Sequence, residues 1–222
     1  MWRLVAVSTL STGLLWGTAE AKINWSFDQV IRKAEKRYGR QGQAKERLLS
    51  WSAMVEDYRG LSEAEKVEAV NRYFNRHVQF REDIALWKQA DYWATPVETL
   101  VMGAGDCEDI ALAKYFTLRL LDVAEEKLRI TYARVLNPQQ AHMVMTYLPE
   151  AGAEPMVLDN LTEDILPASA RDDLQLLYAF DDRSMYAFDG RAMRRIGESQ
   201  QIPCWHELLS RLSKDGFMPN QG

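Results

Sequence analysis

The hydrophobic period of this chain changes from helical to alternating near residue 123, and that change constrains the fold more than any single residue does. Before it, apolar residues recur at helical spacing; after it they alternate with polar ones in short runs. "SFDQVIRKAEKRYG" opens on Ser26 and Gln29 in capping-box spacing, carries Phe27, Val30, Ile31 and Ala34 on one face, and ends at Gly39. "QAKERLLSWSAMVEDYRG" reads as a second helix closed by Gly60, and "SEAEKVEAVNRYFNRHV" as a third, started by Ser62 and Glu65. A short helical piece, "PVETLVM", and a long amphipathic helix, "CEDIALAKYFTLRLLDV", follow. Then "RITYARVL", "HMVMTYL", "PMVLD", "LQLLYAF" and "SMYAFDG" read as antiparallel strands, and "PCWHELLSRLSKDG" as a closing helix with Pro203 in its first turn and Gly216 past its end. Helices segregated before strands imply an α+β fold, with the long helix packed on an antiparallel sheet.

The first 21 residues, "MWRLVAVSTLSTGLLWGTAEA", have an early cation, an apolar stretch and small residues around Glu20, the pattern of a cleaved export signal. The stretch is too short and too interrupted by Ser and Thr for a membrane span, although an uncleaved N-terminal anchor is the alternative. The sequence therefore divides into a signal peptide, 1–21, and one exported domain, 22–222. Within that domain a helical lobe covers about 22–122 and a sheet-rich lobe about 123–222. The net charge is −5, and no basic run exceeds "RR" at 194–195, which argues against nucleic acid and against direct membrane insertion.

Cys107 and Cys204 are the two cysteines. In an oxidising compartment they would by default pair, and a disulfide would remove any thiol chemistry from Cys107. A domain this long does not need a staple, and Cys204 has the setting of a small apolar residue on a helix. Cys107, in "GAGDCED", lies between a glycine turn and a helix, where free backbone N–H groups favour a thiolate and can also hold an oxyanion. Gly103 and Gly105 suit a sharp turn with room for a substrate backbone.

Three histidines could serve as base. His77 and His206 sit on helices and read as packed or half-exposed residues. His142 opens a strand after the loop "NPQQA" and shares a face with Val144 and Thr146, while Met143 and Met145 point the other way. Asp159 ends "EPMVLD", an apolar strand where an acid has little structural reason to appear beyond ending the strand in a turn. A Cys–His pair needs a third group to orient the ring, and these residues follow in the order Cys, His, Asp.

Taken together, "GDCED", "AHMV" and "VLDN" resemble the bacterial transglutaminase-like cysteine proteinase family, and the resemblance extends through "TPVETL" and "AKYFTLRLL" to most of the chain. It implies a papain/transglutaminase-like core with Cys107 as nucleophile, His142 as base and Asp159 as orienting acid. It also implies a periplasmic protease that cuts a large surface adhesin near its N-terminus, at a dialanine site, and so releases it during biofilm dispersal. Calcium as cofactor, and sequestration by an inner-membrane cyclic di-GMP receptor of the LapD type, are further implications of the resemblance.

Asp106, Glu108 and Asp109 surround the thiol. Acids in a first helical turn complement the helix dipole. Carboxylates within ~4–6 Å of a thiol also raise its pKa, which works against nucleophilic use. A bound Ca²⁺, a hard cation that takes oxygen ligands, resolves that conflict, and the family has acids at these three positions. The spacing is not that of an EF-hand, and no His/Cys set suggests zinc. Two other functions share these residues: transglutaminase-type acyl transfer, which uses the same triad, and a non-catalytic calcium-dependent adaptor. Trp93 reads as a packed aromatic or, near the cleft, as an indole donor to an oxyanion.

Overall fold

The structure, a computed structural model, describes residues 26–39, 42–190 and 192–215. The expected signal over 1–21 and the Gly216 helix stop lie outside the described residues. Seven helices are present among those residues: α1 (Phe27–Tyr38), α2 (Gly42–Tyr58), α3 (Glu63–His77), α4 (Asp83–Leu86), α5 (Pro96–Met102), α6 (Cys107–Leu120) and α7 (Pro203–Asp215). The strands are β1 (Gln79–Phe80), β2 (Ala104–Gly105), β3 (Leu128–Leu136), β4 (Gln139–Tyr147), β5 (Met156–Leu158), β6 (Leu166–Pro167), β7 (Leu174–Phe180), β8 (Met185–Asp189) and β9 (Ala192–Gly197).

Strands β3 to β9 form one antiparallel sheet in the order β6-β5-β4-β3-β7-β8-β9, and β1 and β2 form a short parallel pair. The fold is α+β, with helices on the sheet as the change of period requires. One buried cluster runs from Val30 through α6 to Leu212 and includes Met143, Met145 and Leu158 from the sheet. A smaller cluster of Val144, Val157 and Leu174 lies apart from it, as the alternation of side chains along β4 and β5 dictates. Strands β6 and β9 were not legible in the sequence; β6 has two residues and β9 contains "RR".

Local rules account for some helix starts and not others. Ser62 Oγ accepts the Glu65 N–H and Glu65 Oε2 accepts the Ser62 N–H, so the capping box of α3 is made. Ser26 caps α1 without a side-chain bond, and its spacing to Gln29 carries no box. A box that the reading of the sequence overlooked forms between Thr95 and Glu98, with Pro96 at the first turn of α5. Helix α6 departs from its expected amphipathic character: it is buried on nearly every face, because α3, α5, β4 and β3 all pack against it. Even Lys114, at its centre, is 1% exposed.

Candidate active site

The turn before α6 is built by two glycines for different reasons. Gly103 ends α5 in the left-handed region, φ 65°, with its N–H bonded to Thr99 O at 2.8 Å. Gly105 has no such backbone; a Cβ there would lie 2.7 Å from Asp109 Cβ and 2.8 Å from Asp109 Oδ2. The β1–β2 pairing holds the turn, through Gln79 N–H to Gly103 O and Arg81 N–H to Gly105 O.

Cys107 begins α6, half-buried against the main core. Its thiol donates to Glu108 Oε2 at 2.9 Å, and the backbone N–H of Met143 also reaches the sulfur. Strand β5 reaches only Leu158, opposite Met145, so among the described residues no strand pairs with that edge of β4 near Met143. Burial raises the thiol pKa, the charge and hydrogen bond of Glu108 and the charge of Asp106 raise it further, and the Met143 N–H opposes them. Both cysteines are free thiols; Cys204 lies 3.9 Å from Asp91 Oδ2.

His142 does not open its strand. The Asn137–Pro138 turn pairs Leu136 directly with Gln139, so "QQA" belongs to β4 and His142 is its fourth residue, opposite Ala133. The ring is 6% exposed, and its Nε2 lies 2.8 Å from Asp159 Oδ1. Asp159 immediately follows β5 and is 1% exposed; its Oδ1 also accepts the Leu161 N–H at 3.1 Å, and its Oδ2 accepts Arg171 Nη2 at 2.7 Å. Burial disfavours its charge, but the His142, Leu161 and Arg171 hydrogen bonds outweigh that and hold the carboxyl down at about 2. Asn75 Nδ2 and Lys114 Nζ both donate to its carbonyl oxygen, at 2.8 and 3.1 Å. His142 and Asp159 are thus brought into direct contact, and Cys107 meets the residue next to His142. His77 is elsewhere, bonded through Nδ1 to Tyr73 O at 2.8 Å, and His206 is exposed on α7.

The acids around the thiol belong to a larger cluster than the sequence suggested. Carboxylate oxygens of Asp83, Asp106 and Asp109 lie within 4.8 Å of one another, and so do those of Asp83, Asp91 and Glu108. Asp83 Oδ2 accepts the Tyr92 N–H at 2.5 Å and Asp109 Oδ1 the Ala94 N–H at 2.7 Å. Among the described residues, the second oxygen of each and Asp106 Oδ1 are buried without a hydrogen-bond partner. Asp106 makes no cap bond to α6, so its carboxylate is not spent on the helix start. Burial, then the charges of Glu108, Asp109 and Asp83, push Asp106 up to about 9; burial foremost pushes Asp83 up to about 6 and raises Asp109. Oxygen-only donors with unpartnered lone pairs and like charges that repel one another fit a hard divalent cation such as Ca²⁺. Asp83 and Asp91 went unrecognised in the sequence because nothing in "REDIALWKQADYW" ties them to Cys107 by spacing.

Trp93 is a packed residue, 9% exposed: its ring stacks on Phe180 with centroids 5.8 Å apart, and its indole donates to Asp91. Among the described residues no helix is long and apolar enough to cross a membrane.

The sequence profile of the bacterial transglutaminase-like cysteine proteinases matches residues 48–176, a span that holds Asp83, Asp91, the glycine turn, Cys107, His142 and Asp159. Among solved structures, Legionella pneumophila LapG treated with EGTA is 35% identical, with a TM-score of 0.74, covering 86% of this chain and 99% of its own. A calcium-bound form of Legionella pneumophila LapG is 34% identical, with a TM-score of 0.72, covering 85% of this chain and 99% of its own. No curated protein matches the chain.

Proposed function

We propose a function from one premise: the chain belongs to the bacterial transglutaminase-like cysteine proteinases. On that premise the protein is a calcium-dependent endopeptidase in which Cys107 is the nucleophile, His142 the general base and acid, and Asp159 the group that orients the ring. The observation that carries this reading is the 2.8 Å contact between His142 Nε2 and Asp159 Oδ1, on a strand whose next residue directs its N–H at the Cys107 sulfur. With Nε2 committed to Asp159, Nδ1 is the ring nitrogen left to take the thiol proton.

The thiolate attacks the scissile carbonyl carbon, and free N–H groups in the first turn of α6 hold the oxyanion. The C–N bond then breaks, with the imidazolium proton passing to the leaving amine. Water next attacks the thioester while His142 takes its proton, and the C–S bond breaks to regenerate the thiol. Asp83, Asp91, Asp106, Glu108 and Asp109 would hold Ca²⁺, whose charge offsets theirs. Glu108 is placed to leave the thiol when it joins the other acids.

The substrate in this reading is a large surface adhesin, cut near its N-terminus at a dialanine site in the periplasm, with release promoting biofilm dispersal. Residues 1–21 direct export, and an inner-membrane cyclic di-GMP receptor of the LapD type sequesters the enzyme. Likeness to the family over most of the chain supports this assignment. The test is cleavage of an adhesin N-terminal fragment by the protein in CaCl₂, in excess EGTA, and with Cys107→Ala. Cleavage by the calcium-loaded wild type alone is expected; full cleavage in EGTA, or by C107A, overturns the reading.

A further inference from the structure

We propose that Arg171 is a positioning residue that holds the Asp159 carboxylate for His142 and offsets part of its charge. The proposal deepens the reading of Cys107, His142 and Asp159 as a protease triad and rests on it. Every oxygen of Asp159 is engaged. Oδ1 faces His142 and the Leu161 N–H, the carbonyl oxygen takes Asn75 and Lys114, and Oδ2 takes Arg171 Nη2 at 2.7 Å.

Arg171 is itself built into place. Its side chain is 4% exposed, and Asp173 grips it from the solvent side by a two-bond fork, Nε to Oδ1 at 2.8 Å and Nη2 to Oδ2 at 2.7 Å. The same Nη2 therefore bridges Asp173 and Asp159. A carboxylate free to rotate could present either oxygen to the ring; with Oδ2 bound to a planar fork, only Oδ1 remains in register with Nε2. Orienting groups in Cys–His enzymes can be neutral amides as well as carboxylates, so direction matters more to the ring than full charge. A buried Asp159 with no cation would hold the imidazolium too firmly and slow return of its proton to the leaving amine. Arg171, its charge divided between two carboxylates, weakens that hold without releasing the ring.

Among the described residues, the charged groups bonded to Asp159 come from three segments. His142 comes from β4, Lys114 from α6, and Arg171 with Asp173 behind it from the segment before β7. Helix α3 contributes the neutral Asn75, and the Arg76–Glu163 pair beyond it is exposed. Cys107, with Glu108, adjoins the next residue of β4, Met143. Removing either end of the Arg171–Asp173 fork therefore changes the field at Asp159 in opposite senses.

The experiment follows cleavage of the adhesin fragment in excess CaCl₂ across pH by wild type, Arg171→Ala, Arg171→Lys and Asp173→Asn. R171A is expected to lose at least tenfold in kcat with KM within twofold, and to move the alkaline limb of its profile upward by about half a pH unit or more. R171K, which keeps the charge and loses the fork, should recover only part of the kcat. D173N, altered at a half-exposed side chain, leaves the guanidinium to Asp159 alone and should move the limb downward. An R171A or D173N limb that coincides with wild type, limbs that move in the same direction, or an R171A loss carried by KM overturns the proposal. If R171A fails to fold, the D173N shift decides alone. Failure of wild type to cleave at all would instead overturn the protease reading.

Discussion

The thiol of Cys107 donates to the carboxylate of Glu108, the residue that follows it, at 2.9 Å. A thiol held this way is kept protonated by its neighbour, so an acid of the carboxylate cluster also restrains it. Replacing Glu108 by Gln removes one of the charges that add to burial in raising the thiol. In calcium-free buffer at neutral pH, E108Q should alkylate with iodoacetamide at Cys107 several-fold faster than wild type, as followed by peptide mass spectrometry. Equal rates would mean that Glu108 does not restrain the sulfur.

Removal of calcium should expose the repulsion among the buried acids. A carboxyl whose folded pKa is raised, Asp106 to about 9, lowers stability as pH climbs from the unfolded value near ~4 through the folded one. Calcium-free wild type should therefore lose thermal stability across that range, and added CaCl₂ should restore it. Asp106→Asn should raise calcium-free stability at pH 7 by about 1–3 kcal/mol while losing most of the calcium-induced rise in Tm. Calcium and chelator melting curves of the two proteins check both signs.

Gly105→Ala places a Cβ 2.7 Å from that of Asp109, which is fixed from its other side by the Ala94 N–H. Neither the helix backbone nor that loop can yield easily, so the variant should be destabilised by about 1–3 kcal/mol, the usual cost of forcing extra volume into a packed site. Its calcium affinity should fall as well, measured by isothermal titration. A variant with unchanged melting and affinity would show that the turn is softer than this packing implies.

Lys114 is buried at the centre of α6, where its Nζ donates to the Asp159 carbonyl oxygen at 3.1 Å. Burial lowers its pKa to about 7, with the Asp159 charge opposing. The folded state then binds fewer protons than the unfolded chain between about 7 and ~10.4, so the cost of this lysine is present in full below 7 and relieved as pH rises. In CaCl₂, Lys114→Met should be more stable than wild type at pH 6, and the gap should shrink by about 2–4 kcal/mol towards pH 10. Chemical denaturation at the two pH values measures it.

Much of the scaffold was legible because its signals are local. Ser62 and Glu65 are three residues apart and cap each other within one turn; the change from helical to alternating period marks where α6 ends and β3 begins. The same spacing at Ser26 and Gln29 carries no box, since a box needs the Gln side chain to turn back on the cap. The buried faces of α6 were misread for a related reason. Its Lys114, Asp109 and Thr117 look polar in sequence, yet Asp159, Ala94 and Trp51 supply partners from distant segments.

The sequence alone determined the helix start that carries Cys107, the glycine turn before it, the acids beside it, and the order of Cys107, His142 and Asp159, because each depends on neighbouring residues or on strand period. Only the tertiary structure decided that Asp83 and Asp91 join those acids, that β5 stops short and leaves the Met143 N–H for the thiol, and that Arg171 and Lys114 share Asp159. Those relations join segments far apart in the chain, and their energy comes from burial and charge, which linear spacing does not encode.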